Sequence, residues 1–305
     1  MKVAVIGQGS AGKRFLNDIN IIDNKIETHS FSSSDKANYK NTKANFSYKS
    51  LKGIDFRIFD KIIIASPATY HLKHLKLIKN TNTQILMEKP ICFSSKEIKD
   101  IEKLNLNKNL KIAYCFRFNA AAEIVKEEIL KIGKIKNVIS FASSFLPNWR
   151  DIPYKKSVSA NKKLGGGVLL ELSHEVDYLF WFFGDLKLLY SKVENTKTFD
   201  INVEDSVDVF LETEKNIKIF LHLDFMQKNA NRFLTIFGER GKLSWNLLND
   251  EVLIDEKKIY KKNYDNSNMH LEMTKNFILG KNYKKFTSPE EAFKVINLID
   301  KIKSN

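Results

Sequence analysis

The chain has 305 residues, of which 43% are hydrophobic, and it carries 50 Lys and Arg against 36 Asp and Glu, a formal charge of +14. This length and composition exclude a disordered chain and favour two domains with sizeable cores. Because no apolar stretch is long enough to cross a bilayer, and the N-terminus is too short and too interrupted by glycine for a signal peptide, the sequence predicts a cytoplasmic protein.

The positive charge comes mainly from lysines that are spread along the chain among Asn and Ile. Nucleic-acid-binding proteins gather Lys, Arg and aromatic side chains into motifs or patches, and the sequence shows no such pattern. We therefore expect neither a nucleic-acid nor a membrane partner, although the charge would attract an anionic small substrate. The two cysteines, Cys92 and Cys115, have the spacing of neither a disulfide framework nor a metal site.

The N-terminal part alternates apolar strand-like runs with helical patterns. The runs show no polar alternation, which is typical of parallel strands covered on both faces. Ser94 and Glu97 have the spacing of a capping box at a helix start. Alternating β and α units predict an α/β fold with a parallel sheet and right-handed crossovers. The predicted strands lie at residues 2–7, 26–31, 61–66, 84–88 and 110–115, and the predicted helices at 11–20, 69–80 and 94–104.

The turn after the first strand has the pattern G-x-G-x-x-G, at Gly7, Gly9 and Gly12. Gly7 permits a tight turn, Gly9 lets the backbone approach a pyrophosphate, and Gly12 lets the helix pack closely on the strand. The free N–H groups and the dipole of the helix N-terminus favour phosphates. Between a strand and a helix, this pattern predicts a dinucleotide site formed by Gly7, Gln8, Gly9, Ser10, Ala11 and Gly12.

The residues after the second strand bear on which dinucleotide binds. An acidic residue usually ends this strand and binds the ribose hydroxyls. The chain has Ser32, Ser33 and Ser34 instead, followed by Asp35 and Lys36. Because hydroxyls and a lysine tolerate a 2′-phosphate better than a carboxylate does, the sequence favours NADP without excluding NAD.

From about residue 133 onward the pattern changes to longer strand-like segments. Residues 212–218 and 238–242 look like hairpin turns, so we expect a mainly antiparallel sheet in this part of the chain. A helix over 165–184 is expected to lie on that sheet, and another over 289–303 closes the chain. The predicted strands lie at residues 135–146, 186–194, 206–214, 216–226 and 232–247.

The helix over 165–184 opens with three glycines and carries ionisable groups in an apolar segment. At 100° per residue, Glu171, His174 and Tyr178 form a polar stripe apart from the apolar one. The stripe is equally compatible with a solvated helix edge, but glycine backbone just before it suits a ligand pocket. An imidazole with a carboxylate one turn away can transfer protons. The same pair can bind metal, but no third ligand stands at a recognisable spacing, and we expect no metal.

Five motifs together, in this order, resemble those of the Gfo/Idh/MocA oxidoreductase family: the glycine turn, "IIIASPATYH" (62–71), "MEKP" (87–90), "AYCFRFN" (113–119) and "GGGVLLELSHEVDY" (165–178). The resemblance implies a Rossmann domain over 1–118 and a second α/β domain over 119–305 with a large, mostly antiparallel sheet. It also implies hydride transfer between NAD(P) and a sugar, cyclitol or related polyol, and a homo-oligomer, dimer or tetramer, formed through the C-terminal sheet.

The resemblance also implies roles for single residues. It places Lys89 beside the nicotinamide and the substrate hydroxyl, His174 at the reacting hydroxyl, and Arg117 facing the substrate. Glu171 stands three residues before His174, where the family commonly has an Asp four residues before it, and is expected to bind substrate or orient the imidazole. The cofactor-binding residues implied outside the glycine turn are Ser32, Ser33, Ser66, Pro67, His71 and Glu88. Tyr178 is expected to bind substrate.

The segment 143–167 resembles a narrower subgroup with the pattern "LPxWR…Y…SA…LGGG", associated with bacterial surface-glycan and nucleotide-sugar pathways. Trp149 offers an apolar face to a sugar or base, and Arg150 can bind a carboxylate or phosphate with both arms of its guanidinium. Tyr154 belongs to the same predicted substrate loop. The alternative for Trp149 is a structural plug at the domain junction, and the sequence leaves both open.

These observations predict an NAD(P)-dependent oxidoreductase that acts on a secondary alcohol, or the corresponding ketone, of a sugar derivative. His174, assisted by Lys89, would take or return the hydroxyl proton while the cofactor supplies the hydride chemistry. The alternative is a sensor or regulator that kept the dinucleotide-binding fold without catalysis. The presence of both Lys89 and His174 argues against it, because a sensor needs no proton-transfer pair.

Overall fold

The computed structural model describes residues 1–33, 43–261 and 267–305. The chain forms two compact units. The first contains Met1–Cys115 and Ser267–Ile296, and the second contains Phe116–Asn266 and Asn297–Asn305. Within the described ranges, no helix combines the length and the apolar composition that crossing a bilayer requires.

The first unit is built on a parallel sheet, with strands β1 (Lys2–Ile6), β2 (Glu27–Phe31), β3 (Phe46–Tyr48), β4 (Lys61–Ile64), β5 (Gln84–Glu88) and β6 (Leu110–Ala113) and helices α1 (Ser10–Ile22), α2 (His71–Ile78) and α3 (Ile98–Glu102). The sheet has the order β3-β2-β1-β4-β5-β6. Its inner strands are buried over nearly their whole length, as the lack of polar alternation predicts. The predicted parallel sheet is therefore confirmed, and of its strands only the three-residue β3 is not predicted.

The second unit is built on a sheet of eight strands in the order β14-β13-β12-β11-β7-β10-β9-β8. Its elements are α4 (Ala120–Glu128), β7 (Ile135–Ser143), α5 (Val168–Glu171), α6 (Ser173–Phe183), β8 (Leu186–Glu194), β9 (Ser206–Thr213), β10 (Lys218–Asp224), β11 (Asn231–Gly238), β12 (Gly241–Asn246), β13 (Glu251–Ile254) and β14 (Lys257–Lys261). The pair β7 and β10 is parallel and the other pairs are antiparallel, so the expectation of a mostly antiparallel sheet is confirmed. The sequence does not predict α4, β13 or β14.

The two faces of the eight-stranded sheet differ in their surroundings. Side chains of one face, among them Val138, Leu211 and Trp245, are buried, and this face packs against α4 and α5. Side chains of the other face, among them Ile139 and Phe220, are exposed. Strand residues therefore alternate between core and surface, which is the ordinary consequence of the two-residue period of a strand.

The segment 165–184 is not one helix, because α5 and α6 are separated at Leu172, where φ is −97° and ψ is 27°. The predicted straight stripe of Glu171, His174 and Tyr178 is therefore wrong, since Glu171 ends α5 and the other two lie on α6. Gly165 and Gly167 have φ of 79° and 112°, values that favour glycine. Gly166 is packed so closely that a Cβ would lie 2.3 Å from the carbonyl oxygen of Val158.

The C-terminal helices are α7 (Ser267–Ile278) and α8 (Pro289–Ser304), and residues 267–296 belong to the first unit. The sequence predicts α8 but not α7, and it assigns every residue after 118 to the second domain. Phe277 of α7 is buried, and Thr274 Oγ1 donates a hydrogen bond to Asp18 Oδ2 of α1 at 3.1 Å. Burial raises the pKa of Asp18 to about 6. The reason for the difference is that α7 is held by packing on α1, a partner distant in the sequence.

The close packing at Gly166 yields a stability prediction. Gly166→Ala should lower the free energy of unfolding by about 1–3 kcal/mol, because the added methyl group must displace the backbone of residues 158–161. Urea titration followed by circular dichroism measures this change. Gly9→Ser is the matched control, because a Cβ at Gly9 meets no atom within 4 Å, and it should change the free energy by no more than about 0.5 kcal/mol. Equal losses in the two variants would contradict the packing argument.

Candidate functional site

The glycine turn lies between β1 and α1, in the strand-turn-helix context that the sequence predicts. Gly7 has φ of 120°, and a Cβ there would lie 2.5 Å from the carbonyl oxygen of Ala65. A Cβ at Gly12 would lie 1.8 Å from the carbonyl oxygen of Gly7. At Gly9, by contrast, a Cβ would meet nothing within 4 Å. Protein backbone therefore requires glycine at two positions, and the third faces open space of the kind that a pyrophosphate needs.

The other residues of the turn have two roles: Ser10 and Ala11 begin the helix, and Gln8 supports the turn. Ser10 and Ala11 begin α1, so their backbone N–H groups belong to the first turn of the helix. Gln8 is buried, and its Nε2 donates to the carbonyl oxygens of Ser30 at 3.5 Å and Tyr48 at 3.3 Å. The Gln8 side chain therefore ties the turn to β2 and β3, while its backbone stays in the turn.

The end of β2 shows part of the segment that the sequence associates with NADP. Ser32 is buried, and its N–H donates to the carbonyl oxygen of Tyr48 at 3.0 Å. The carbonyl oxygen of Ser33 accepts a hydrogen bond from His74 Nε2 at 3.2 Å. Ser34, Asp35 and Lys36 lie outside the described residues.

Two histidines of α2 connect the ends of the neighbouring strands. His71 Nε2 lies 2.9 Å from the carbonyl oxygen of Ser66, and its Nδ1 lies 2.9 Å from that of Pro90. His74 Nδ1 lies 2.9 Å from Ser66 Oγ. Both rings are fully buried, and burial lowers both pKa values, that of His74 to about 4. His74 is therefore a core residue. Pro67 begins the short turn that leads into α2.

The predicted motif at 87–90 lies at the end of β5. Lys89 follows the buried Met87 and Glu88, and its peptide bond to Pro90 is cis. Glu88 Oε1 pairs with Arg14 Nη2 of α1 at 2.8 Å, and its Oε2 accepts the Lys89 N–H at 3.2 Å. The Glu88 carboxylate therefore holds the turn that presents Lys89, rather than standing open to a ligand.

His270 is a residue of this region that the sequence does not indicate, because α7 is not predicted. Its Nε2 lies 3.6 Å from Cys115 Sγ. Burial, together with the positive charges of Arg14 and Lys89, lowers its pKa to about 3. The imidazole is therefore neutral at physiological pH and adds no charge beside Lys89.

In the second unit, His174 lies on α6 and is half-buried. Its ring meets the Phe116 ring edge to face, with the centroids 5.3 Å apart. The Phe116 ring also has the Arg232 guanidinium 4.6 Å from its centroid, and Arg232 Nε donates to Glu175 Oε1 at 2.6 Å. The predicted acid–base residue therefore packs on an aromatic ring that also contacts a guanidinium paired with a buried carboxylate.

Glu171 and the predicted substrate loop meet in the second unit. Glu171 Oε2 accepts a hydrogen bond from Ser159 Oγ at 2.9 Å and lies 4.0 Å from Arg150 Nη2. Trp149 Nε1 donates to Ser144 Oγ at 2.9 Å, and its ring packs on Phe225 with centroids 5.0 Å apart. The Tyr154 ring packs on the Phe199 ring at 5.6 Å.

Two residues that the sequence assigns to the substrate are buried in the second unit. Arg117 forms a two-armed salt bridge with Asp177, with N–O distances of 3.1 and 2.9 Å, and both side chains are buried. Tyr178 has no exposed surface, its hydroxyl pairs with Ser140 Oγ at 2.7 Å, and burial raises its pKa. The polar groups of both side chains therefore have buried partners in this unit, and the substrate-facing roles of Arg117 and Tyr178 stay predictions.

Across residues 1–33, 43–261 and 267–305, no three His, Cys, Asp or Glu side chains are arranged to hold a metal ion. The chemistry of the described groups is instead that of a phosphate-binding turn in one unit and an imidazole with nearby charged side chains in the other.

Two family models match consecutive parts of the chain. Residues 1–115 match the model described as the oxidoreductase family with an NAD-binding Rossmann fold. Residues 118–244 match the model described as the GFO/IDH/MocA C-terminal domain. Together the two matches account for most of the chain.

Individual relatives are distant in sequence but similar in fold. An uncharacterized oxidoreductase of Synechocystis is 24% identical over 198 residues, which are 60% of this chain and 53% of that protein, so the match spans about half of the relative. Levoglucosan dehydrogenase in complex with NADH and L-sorbose has a TM-score of 0.82 at 15% identity, covering 100% of this chain and 96% of its own. The WlbA dehydrogenase of Bordetella pertussis, in complex with NADH and UDP-GlcNAcA, has a TM-score of 0.76 at 19% identity, with coverages of 100% and 94%. At these identities the likeness shows the shared fold.

The open space at Gly9 predicts a variant that folds but does not bind cofactor. Gly9→Leu should abolish NADH binding, because the side chain would fill the space that the pyrophosphate needs, while no protein atom obstructs it. Fluorescence titration with NADH measures binding, and thermal unfolding of the same sample verifies the fold. Gly9→Ser, with its smaller side chain, should lose less affinity. A Gly9→Leu variant with unchanged NADH affinity would contradict the assignment of this turn.

Proposed function

The chain belongs to the Gfo/Idh/MocA family of oxidoreductases, with an NAD-binding Rossmann domain, and on this premise we propose that it interconverts a secondary alcohol and a ketone on a sugar derivative. The observation that carries the proposal is the glycine turn whose middle position is open while its flanking glycines are packed. This geometry fits a dinucleotide, and the second unit supplies a half-buried histidine for acid–base chemistry.

We propose NAD as the cofactor. The family description of the first unit names NAD, and structures of similar fold contain NADH. Ser32 is buried and the Ser33 carbonyl is already bonded to His74, so these two residues bring no positive charge to a 2′-phosphate. The preference for NADP that the sequence favours depends on Lys36 and stays a prediction. Parallel titrations with NADH and NADPH test it.

We propose that His174 is the residue that takes the hydroxyl proton in oxidation and returns it in reduction. The bound nicotinamide supplies the hydride acceptor or donor. His174 is suited to the proton because its ring is half-buried and is held against Phe116. Lys89, presented by the turn after β5, would donate a hydrogen bond to the same oxygen and stabilise its developing charge.

We propose Glu171 and Arg150 as substrate residues, on the strength of their position 4.0 Å apart. Glu171 would accept hydrogen bonds from sugar hydroxyls, and Arg150, about one-third exposed at 33%, would bind an anionic group of the substrate. The resemblance of the surrounding loop to a surface-glycan subgroup supports a nucleotide-sugar or another charged sugar derivative. The Trp149 indole already packs inside the second unit, which supports a structural role beside this substrate loop.

We also propose that a second copy of this chain covers the exposed face of the eight-stranded sheet. Tyr190, Phe210, Phe220 and Ile139 lie side by side on four adjacent strands and line a groove of about 290 Å³. Tyr190 and Phe220 are more than half exposed, at 57% and 51%. A contiguous apolar face of this kind is unusual for a monomer, and two such faces complement each other about a two-fold axis.

The substrate proposal is tested by the change in nicotinamide absorbance at 340 nm across a panel of neutral sugars, sugar acids and nucleotide-sugars. Arg150→Ala should raise the KM for an anionic substrate by about tenfold and that for a neutral substrate much less, because one charge-assisted hydrogen bond is worth about 1.5–3 kcal/mol. Equal effects on both substrates would make Arg150 a structural residue. If no compound of the panel is turned over, the proposed oxidoreductase activity on sugar derivatives is contradicted.

The catalytic assignment predicts that His174→Ala and Lys89→Ala each lower kcat by roughly 10²-fold or more, the scale for losing a positioned acid or base. NADH affinity should change little in either variant. The double variant should lose much less than the product of the single losses, because groups that act on one proton behave as a unit. Steady-state kinetics on the identified substrate measures this. Wild-type turnover in His174→Ala would leave the histidine without a catalytic role.

If the exposed face of the eight-stranded sheet is the interface of an oligomer, one charge placed on that face should disrupt the oligomer. Phe220→Asp should convert the oligomer into monomers, because it buries a carboxylate in an apolar interface. Size-exclusion chromatography with light scattering measures the mass. Leu130→Asp is the matched control, because Leu130 is 80% exposed but does not lie on that sheet, and its mass should not change. A monomeric unaltered chain would refute the interface.

A further inference from the structure

The second histidine of α2 has no part in the proposed chemistry, yet it is one of the most thoroughly buried polar groups of the first unit. His74 has no exposed surface and lies one helical turn after His71. Burying an imidazole is unfavourable unless its nitrogens are paired. Both nitrogens of His74 are paired, and their partners are residues of the strand ends rather than of its own helix.

The neutral imidazole with its proton on Nε2 satisfies both contacts of His74. Ser66 Oγ donates its hydrogen to Nδ1 at 2.9 Å, and the hydrogen on Nε2 is donated to the carbonyl oxygen of Ser33 at 3.2 Å. Because a carbonyl oxygen can only accept, Nε2 must carry a hydrogen. Burial, together with the nearby His71 and Lys73, lowers the pKa of His74 to about 4, so the ring has this form at neutral pH. The Tyr70 ring stacks on it at 6.0 Å.

The two partners of His74 flank the glycine turn. Ser33 follows β2, whose Phe31 carbonyl accepts the Gly7 N–H at 2.8 Å. Ser66 follows β4, and its backbone nitrogen would lie 2.9 Å from a Cβ at Gly7. In an open parallel sheet the ligand binds at the carboxyl ends of the strands, and the residues after the second strand bind the adenosine ribose. His74 therefore links Ser33, at the end of β2 where the ribose would bind, to Ser66, whose backbone lies against Gly7.

We propose that His74 is a positioning residue for the adenosine half of the cofactor. It holds the Ser33 backbone at the end of β2 through Nε2 and is itself anchored through Ser66. Because its side chain has no exposed surface, it acts through these two residues and does not touch the cofactor. The proposal rests on the dinucleotide site of the proposed function, and it adds a residue and a chemical reason for the geometry of the ribose end.

The test uses ADP-ribose, which is the cofactor without its nicotinamide, in calorimetric titrations of the full chain. His74→Leu keeps the volume and removes both hydrogen bonds, and ADP-ribose affinity should fall by about tenfold, because the Ser33 backbone is no longer held by the imidazole. NADH affinity should fall by the same factor. The kcat at saturating NAD should stay within about twofold, because His74 has no role in the proton transfer.

Two shorter polar substitutions separate the two bonds. In His74→Gln the amide nitrogen reaches the position of Nε2 and can still donate to the Ser33 carbonyl, so ADP-ribose affinity should recover to within about threefold of the unaltered chain. In His74→Asn the amide reaches only the position of Nδ1, so the bond to Ser66 is kept, that to Ser33 is lost, and affinity should stay low. If His74→Leu does not fold, the comparison of Gln with Asn still decides the proposal.

Leu75→Ala is the matched control for a general loosening of α2, because Leu75 is the next residue and is also fully buried. It should lower the Tm but leave ADP-ribose affinity unchanged. The proposal is overturned if Leu75→Ala weakens ADP-ribose binding as much as His74→Leu does, if Asn restores affinity as well as Gln, or if His74→Leu binds ADP-ribose normally. Failure of the unaltered chain to bind ADP-ribose would remove the dinucleotide site itself, and this proposal with it.

Discussion

Polar groups that leave water must be paired inside the protein, and this requirement organises both units of the chain. In the first unit, two buried imidazoles of α2 take up hydroxyl and carbonyl groups at the ends of β2, β4 and β5. In the second unit, Arg117 pairs with Asp177, and Glu175 pairs with Arg232. The two groups proposed for chemistry are sequence neighbours of these paired residues: Lys89 precedes Pro90, and His174 precedes Glu175. The backbone next to each group is therefore held by hydrogen bonds that would be costly to break.

The pairing also separates residues that support the chemistry from residues that perform it. Glu88 is neighbour to Lys89 in the sequence, but its carboxylate is occupied by Arg14 and by the Lys89 N–H. It therefore stabilises the turn from which the lysine extends. In the second unit, Phe116 packs between the His174 ring and the Arg232 guanidinium.

Glycine illustrates how one residue type serves opposite purposes. Gly9 has open space where a side chain would be, and this space is what the cofactor would use. Gly166 has the backbone of residues 158–161 in that position, so its glycine serves packing. Its neighbours Gly165 and Gly167 adopt positive φ, which bends the chain into the short helix α5. The three glycines before α5 therefore form a tightly packed bend.

The sequence by itself determined the elements that depend on local pattern: the buried parallel strands, the glycine turn, the hairpins of the second unit and the order of motifs that identify the family. It did not predict α7, which packs on the distant α1, or the break at Leu172 that removes the polar stripe. Tertiary structure alone decided that Arg117 and Tyr178 are core residues and that His74 joins two strand ends. The reason is physical: periodicity reports which face of an element is apolar, whereas the burial and pairing of a polar side chain depend on partners far away in the sequence.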